Sequence, residues 1–413
     1  MRNIAEKLGS APPDIPTPKA PDLCEDVLTL RLATPMMGGG VEAGEVDMAR
    51  PIRASSIRGH LRYWWRLFCA QGLKDDALRE TEGAIWGSTE SPSKVTVLVQ
   101  CAPIAGAQGM RRYNAPIPFE FEKKYGSELY ALFPAQEQNQ TRKPGHDIAR
   151  EGLTFTLTLS YPKEFQAQVR MAVAAWVYFG GVGARTRRGC GSLTLEAGGE
   201  KLPNLNKVLA ANNQMTLWKG PTAKDGVAAW QRSLDVYKRY RQSRREGQTS
   251  RFGRSYWPEP DSIRQLTGCS LGRHSSPVVD AATLPSFPRA ALGLPIIFHF
   301  KDGPKGRPDP HQDPADQQLK GKWKNKERER MASPIITKAI YEGGKWYSAV
   351  VILPRRAALE IQPFTGTPGD DGIKPVQGQH YARIKPMEGA QDAISGFEKF
   401  ISKDNVFAKQ VGR

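Results

Sequence analysis

A glycine- and arginine-rich stretch at residues 179–192 sets the strongest limit on how this chain can fold. It holds five glycines and three arginines. Glycine adopts positive φ and lets the main chain approach a ligand closely, so no regular helix or strand is expected to cross the stretch. Outward main-chain N–H groups among arginines form a concavity that binds anions, usually phosphate. We therefore predict a phosphate-binding loop, with a flexible turn as the alternative. The predicted binding residues are Gly181, Gly183, Arg185, Thr186, Arg187, Arg188 and Gly189.

Hydrophobic periodicity on both sides of this loop predicts its place in a fold. The predicted strands are 27–32, 94–99, 153–161 and 192–195, and the predicted helices are 57–68 and 165–179. This order is β-α-β, an insertion, then β-α-β, which is typical of a ferredoxin-like (RNA-recognition-motif-like) arrangement. A doubly wound parallel sheet would need more β-α units. A P-loop is excluded because no Gly-Lys-Ser/Thr follows the glycines.

The second half of the chain shows a weaker version of the same pattern. Its predicted helices are 228–245 and 394–402, and its predicted strands are 294–300, 334–341 and 346–353. We therefore predict an α+β fold class, with two ferredoxin-like folds in tandem and long insertions. The predicted domains are a flexible, proline-rich N-terminal arm at 1–22, a first domain at 23–210 with an insertion at about 102–150, and a second, degenerate domain at 211–413 with an insertion at about 301–330.

Composition indicates the kind of partner. The chain has 59 Lys and Arg against 42 Asp and Glu, which gives a net charge of +17. Such an excess favours nucleic acid or an anionic membrane surface as partner. No apolar run is long enough for a membrane span, and no signal-peptide pattern opens the chain, so we expect a cytoplasmic protein. The five cysteines are scattered, which argues against disulfides and zinc; we predict no metal and no cofactor.

The first predicted helix carries a row of arginines. Ile57, Leu61, Trp64 and Phe68 form its apolar stripe, and Ser55 or Ser56 is the predicted N-cap. Three arginines recur every four residues on another face without an acid between them, so they repel one another unless a polyanion lies across them. A solvated face is the alternative. The predicted RNA-binding residues here are Arg53, Arg58, His60, Arg62 and Arg66.

Arginines alternate with aromatic residues between positions 240 and 258. Such interleaving suits single-stranded nucleic acid, because bases stack on rings while arginines hold phosphates. The predicted contacts are Arg251, Arg254 and Trp257. Core aromatic residues beside a solvated basic patch are an equally good interpretation.

These motifs resemble a known family. Residues 34–40, with Thr-Pro followed by three glycines, come before Arg50-Pro51 and before Ser56, Arg58, Gly59, Leu61 and Arg62. Together with the loop at 180–191, they resemble the signatures of the RAMP superfamily of CRISPR effector proteins. Residues 59–66, 253–259 (Gly-Arg-Ser-Tyr-Trp-Pro-Glu) and 330–334 (Arg-Met-Ala-Ser-Pro) are similar to the first RAMP subunits of Cmr (type III-B) complexes. Cys190 departs from the pattern, which more often has an aromatic residue there.

The resemblance implies two ferredoxin-like folds and a function in antiviral defence. It implies a non-catalytic RNA-binding subunit at one end of a multi-subunit interference complex, near the 3′ region of the guide RNA and the paired target RNA. The implied partners are guide RNA, target RNA and the other RAMP subunits, with no membrane. Because the insertions are long, peripheral contacts of the family are not carried over to this chain.

The alternative is a metal-independent ribonuclease that acts on guide-RNA precursor, as some RAMP relatives do. Such an enzyme needs a general base for the 2′-OH and a cation for the phosphorane. His60, flanked by Arg58 and Arg62, is the best candidate for the base. A metal-dependent nuclease built on Glu42, Glu45 and Asp47 is a weaker option, since neighbouring carboxylates in a polar loop are usually solvated.

Overall fold

A computed structural model describes residues 22–105, 110–112, 127–136, 145–245, 253–304, 309–323, 326–328, 330–354, 360–364, 381–404 and 406–410. The fold is mixed α+β with antiparallel sheets, as predicted from the sequence. Residues 1–21 of the predicted N-terminal arm, about half of the predicted insertion at 102–150 and short parts of that at 301–330 lie outside the described residues. No helix of the described residues combines the length and the apolar character that crossing a bilayer requires.

The strands are β1 (Leu23–Leu32), β2 (Met36–Met37), β3 (Thr96–Cys101), β4 (Met110–Arg112), β5 (Asp147–Ala149), β6 (Thr154–Pro162), β7 (Leu193–Ala197), β8 (Thr216–Ala223), β9 (Ile296–Phe298), β10 (Gln317–Trp323), β11 (Lys326–Arg328), β12 (Ile335–Glu342), β13 (Lys345–Ile352), β14 (Glu360–Phe364) and β15 (Ala408–Gln410). The α-helices are α1 (Ala54–Phe68), α2 (Asp75–Trp86), α3 (Glu128–Leu132), α4 (Gln166–Phe179), α5 (Leu205–Ala210), α6 (Gly226–Arg241), α7 (Glu259–Thr267) and α8 (Ala393–Lys403).

The first sheet has four antiparallel strands in the order β3-β6-β1-β7. Along β6 every second residue is buried, from Phe155 to Tyr161, and Leu157 lies opposite Leu28 of β1. This period of two places one face of the sheet in the core, where the apolar sides of α1 and α4 cover it. The four strands of this sheet and the two helices that cover it follow one another as β1-α1-β3-β6-α4-β7, which is the predicted order β-α-β-β-α-β.

The second sheet repeats this connectivity with the strand order β12-β13-β8-β15 and the helices α6 and α8. Its strand β12 is buried on both faces, because six consecutive residues from Ile335 to Ile340 are buried. Ile336 and Ile340 pack into the core that contains α1 and α4, whereas Ile335 packs into the core of α6 and α8. The second sheet is therefore enclosed between the helices of the two halves.

Several features differ from the sequence predictions. Helix α2 and strand β8 were not predicted, and α1 has Arg53 rather than a serine at its N-cap position. Part of the stretch interpreted as a charged insertion at 301–330 forms β10, which pairs with β9, β11 and β14 and buries Leu319. Part of the stretch at 102–150 is also packed, since Leu129 and Leu132 of α3 belong to a buried cluster. These segments have short-range patterns too weak to reveal partners that come from distant parts of the chain.

Candidate nucleic-acid interface

The glycine-rich loop after α4 is an ordered hydrogen-bonded structure and not a flexible turn. Gly191 N donates to the carbonyl of Pro35 at 2.8 Å, and Ala184 N donates to the carbonyl of Met37 at 2.6 Å. Gly183 has a φ of +77°, and a Cβ atom there would lie 2.6 Å from the Met37 carbonyl oxygen. The glycines therefore allow the loop to lie directly against the segment that follows β1.

The three arginines of the loop hold it to other parts of the protein. Arg185 donates to the carbonyls of Ala131 at 2.8 Å and Tyr130 at 3.2 Å. Its pKa is lowered chiefly by burial. This guanidinium therefore joins the loop to α3.

Arg187 and Arg188 join the same loop to the second half of the chain. Arg187 donates to the Ser333 carbonyl and to the Tyr63 hydroxyl, both at 2.7 Å. Arg188 donates to the Ile335 carbonyl at 3.1 Å and to the Tyr237 hydroxyl at 2.9 Å, and its guanidinium carbon lies 4.3 Å from the centroid of the Tyr237 ring. These bonds give the arginines a structural role. Their binding to RNA, and that of Thr186 between them, stays a prediction.

The second sheet lies against two further residues of this stretch, Gly189 and Gly180. Gly189 has a φ of +77°, and a Cβ atom there would lie 2.5 Å from both the Thr337 carbonyl and the Trp230 ring. Lys338 of β12 is fully buried and donates a hydrogen bond to the carbonyl of Gly180, where α4 ends. Burial lowers the pKa of Lys338 to about 7. A lysine within an apolar strand was the sequence signal for this contact, but its partner could not be predicted.

The arginine row on α1 is partly neutralised by an acid from another helix. Arg62 Nε lies 2.6 Å from Glu82 of α2, and Arg66 binds both oxygens of the same carboxylate at 2.5–2.7 Å. Glu82 exposes only 4% of its side chain. The inference that the row lacks an acid is therefore wrong for Arg62 and Arg66, because α2 supplies one.

Arg53 and Arg58 keep their charges available. Both are half-buried, and the Nε–H group of each is buried without an acceptor in the described part of the chain. Arg53 is the N-cap residue of α1, and Arg58 lies in the N-terminal half of the helix. The first turn holds no acidic residue, and the helix dipole is positive at this end. An unpaired donor in a shielded position is unfavourable, and an anion beside such a guanidinium would offset part of that cost.

The start of α1 lies beside both glycine clusters. A Cβ atom on Gly39 would lie 3.5 Å from the Cα of Gly183 and 3.9 Å from the carbonyl of Pro51. Main chain without side chains thus lies beside Pro51, two residues before Arg53, and a polyanion can approach closely there. We call Gly39, Gly183, Arg53 and Arg58 the α1 junction. His60, two residues after Arg58 on α1, is half-buried, and burial lowers its pKa.

The predicted contacts near residue 257 have other roles. Trp257 is fully buried, donates from Nε1 to the Tyr240 carbonyl at 3.1 Å and meets the Tyr240 ring edge-to-face at 5.2 Å. It has no face open to a base, so its predicted stacking is wrong and the core-aromatic interpretation applies. Arg254 pairs with Asp261 at 2.5 Å. Arg251 lies outside the described residues.

The acidic candidates have structural partners. Asp47 Oδ1 accepts from the main-chain N–H groups of Ala49 and Arg50, each at 3.0 Å, and so shapes a turn.

A second acidic group, which the sequence did not indicate, brings ligand atoms of His274, Asp302 and Asp313 within 4.8 Å of one another. Two arginines neutralise its carboxylates: Arg264 pairs with Asp313 and Arg273 pairs with Asp302. The group is therefore an ion-pair network.

Comparison with known proteins agrees with the resemblance seen in the sequence. The pattern of the RAMP superfamily matches residues 29–194, from β1 to the start of β7. We call this matched stretch, which is less than half of the chain, the RAMP segment. This RAMP segment contains α1, α4, the glycine-rich loop and the whole α1 junction.

Two relatives of this chain are subunits of a CRISPR system. Cmr subunit Cmr1-1 of Pyrococcus furiosus is 30% identical over 166 residues, which are 39% of this chain and 46% of that protein. Cmr1-2 of the same organism is 28% identical over 184 residues, which are 42% of this chain and 95% of that protein. The chain thus matches less than half the length of Cmr1-1. The predicted resemblance to Cmr subunits is confirmed.

Solved structures of the same kind are more distant. Apo Cmr1 from Pyrococcus furiosus aligns with 94% of this chain and 99% of its own, at 16% identity and a TM-score of 0.47. A chain of the type III-B Cmr-beta complex bound to cognate target RNA and AMPPnP aligns with 79% of this chain and 94% of its own, at 11% identity and a TM-score of 0.38.

Proposed function

We propose that this chain is a non-catalytic RNA-binding subunit of a type III-B CRISPR (Cmr) effector complex in the cytoplasm. In this proposal it holds the guide RNA near its 3′ region, together with the paired target RNA, at one end of a complex with other RAMP subunits. The RAMP segment and its relatives among Cmr subunits support the assignment. The net charge of +17 supports a polyanionic partner.

The same proposal includes two ferredoxin-like domains, at 23–210 and 211–413. Each has the element order β-α-β-β-α-β, and in each sheet the first strand lies between the third and the fourth. The equal strand order of two sheets from different parts of the chain supports a tandem of one fold.

The α1 junction carries the proposal, because Arg53 and Arg58 there have no carboxylate partner among the residues that the structure describes. The other described arginines that the sequence proposed are occupied, either by carboxylates or by main-chain carbonyls and tyrosine hydroxyls. A phosphate at the junction would neutralise these two charges. Contacts of this kind position an RNA strand and leave reading of the sequence to base pairing.

The test compares two double variants with the same loss of charge. Arg53→Gln with Arg58→Gln removes the unpaired arginines, whereas Arg66→Gln with Arg79→Gln removes arginines that pair with Glu82 and Asp76. The affinity of each protein for single-stranded RNA is measured at several salt concentrations. We expect the first variant to bind more weakly and to lose about 0.7 of salt slope per phosphate contact. Equal losses in both variants would show that only net charge matters, which contradicts a site at the junction.

Cleavage by His60 is the competing function, and one observation favours it. Burial lowers the pKa of His60, which favours the neutral form that a general base needs. The assay incubates purified protein and guide RNA with EDTA. The proposal expects intact RNA. Ends that carry a 2′,3′-cyclic phosphate and disappear in His60→Ala would establish the ribonuclease instead.

A further inference from the structure

An exposed tyrosine with two cations lies beside the buried Trp257. Residues 243–245 and 254–256 form a short antiparallel ladder, in which Arg245 N donates to Arg254 O at 2.9 Å and Tyr256 N donates to Ser243 O at 3.0 Å. The Tyr256 side chain projects from this ladder and remains half-exposed.

Lys385 completes the group from a distant part of the chain. Its Nζ lies 3.1 Å from the Tyr256 hydroxyl and 4.2 Å from the centroid of the ring. Lys385 and Arg245 are the cations that lower the pKa of Tyr256, first through the hydrogen bond from Lys385. Both cations are exposed, and no carboxylate pairs with either within the described ranges.

The tyrosine and the lysine stand on rigid supports. Trp257, next to Tyr256, is fixed in the core by its contacts with Tyr240. Lys385 precedes Pro386 and Met387, both of which are buried. An aromatic ring that is already positioned loses little conformational freedom when a planar ligand stacks on it.

We propose that Tyr256, Lys385 and Arg245 bind one unstacked nucleotide of a single-stranded RNA. The base stacks on the face of the Tyr256 ring opposite Lys385, and the two cations hold the adjoining phosphates. The chemistry is that of single-strand binding, which combines base-aromatic stacking with a cationic path for the backbone. This inference rests on the proposed function for the identity of the polymer, but it uses residues outside the α1 junction and outside the RAMP segment.

The test separates stacking from charge. Tyr256→Phe keeps the ring, Tyr256→Leu removes it, and Lys385→Gln with Arg245→Gln removes the cations. Binding of a single-stranded RNA oligonucleotide is measured at several salt concentrations. We expect Tyr256→Leu to bind about tenfold more weakly with an unchanged salt slope, and Tyr256→Phe to bind nearly as the parent protein does. The double variant should lose about 0.7 of slope per contact.

The same series distinguishes failure of this inference from failure of the proposed function. If Tyr256→Leu binds like the parent while the Arg53 and Arg58 double variant loses affinity, the nucleotide site is wrong and the proposed function stands. If only the Tyr256 series loses affinity, the nucleotide site stands and the α1 junction is wrong. If the parent protein binds no RNA, both are overturned. Thermal unfolding of each variant provides the control for folding.

Discussion

The ammonium group of Lys338 donates a hydrogen bond to the carbonyl oxygen of Gly180, the residue at which α4 ends. A cation at this position interacts favourably with the negative end of the helix dipole. The same side chain is fully buried, and its desolvation opposes the charge. The contact links β12 of the second sheet to the helix that leads into the glycine-rich loop.

The buried lysine predicts a pH dependence of stability. Burial lowers the pKa of Lys338 from 10.5 to about 7. Between these values the unfolded chain binds a proton that the folded protein does not, so the free energy of unfolding should rise with pH, by at most about 1.4 kcal/mol per unit. Urea denaturation from pH 7 to 10 measures it. The difference between the protein and its Lys338→Met variant should change across this range; parallel curves would contradict the assignment.

We expect a substitution of Arg188 to lower the stability of the protein and to leave its RNA binding unchanged. Arg188→Lys keeps the charge but loses the two-sided contact with the Ile335 carbonyl and the Tyr237 hydroxyl. We expect the free energy of unfolding to fall by about 1–3 kcal/mol in urea denaturation. RNA affinity of the folded variant and its salt slope should stay the same. A changed slope at unchanged stability would support the phosphate-binding role predicted from the sequence.

We expect removal of the Glu82 charge to lower the stability of the protein and to strengthen its RNA binding. Glu82→Gln removes the charge that neutralises Arg62 and Arg66, which expose 35% and 51% of their side chains. Because both arginines reach solvent, the expected loss is only about 1–2 kcal/mol. The freed arginines should strengthen RNA binding at low salt and steepen its salt dependence. Glu196→Gln, which breaks an exposed pair with Arg31, is the control and should change neither quantity appreciably.

Alanine substitutions at two glycines distinguish the cost of backbone strain from the cost of a steric clash. Gly152 and Gly183 both have positive φ, but a Cβ atom at Gly152 meets nothing within 4 Å, whereas one at Gly183 meets the Met37 carbonyl oxygen at 2.6 Å. Gly152→Ala should cost about 1 kcal/mol through backbone conformation alone. Gly183→Ala should cost about 3 kcal/mol because the loop must also move away. Denaturation in urea compares them, and equal costs would show that the loop yields freely.

Local patterns in the sequence predicted much of the fold. The alternation from Phe155 to Tyr161 and the apolar stripe of α1 are visible within ten to fifteen residues, and the structure confirms both elements. Strand β8 was missed because Gly220 and Pro221 interrupt it, and its pairing with β13 and β15 decides its conformation.

The candidate site was less predictable because partners decide which cations remain available. The spacing of Arg58, Arg62 and Arg66 is a property of the sequence, but Glu82 reaches only two of them and comes from a helix that the pattern did not reveal. The arginines of the loop likewise find acceptors such as Ser333, 146 residues away. Sequence spacing identified the basic residues, and only the fold distinguishes bound charge from available charge.

Strand β12, buried on both faces, has a geometric consequence for any RNA that reaches both halves. Separating the halves would expose Ile336 and Ile340 to water, so the protein does not bend freely between them. We therefore expect the α1 junction and Tyr256 to keep a nearly constant separation. If one RNA strand contacted both places, the protein rather than the RNA would set the number of nucleotides between the two contacts.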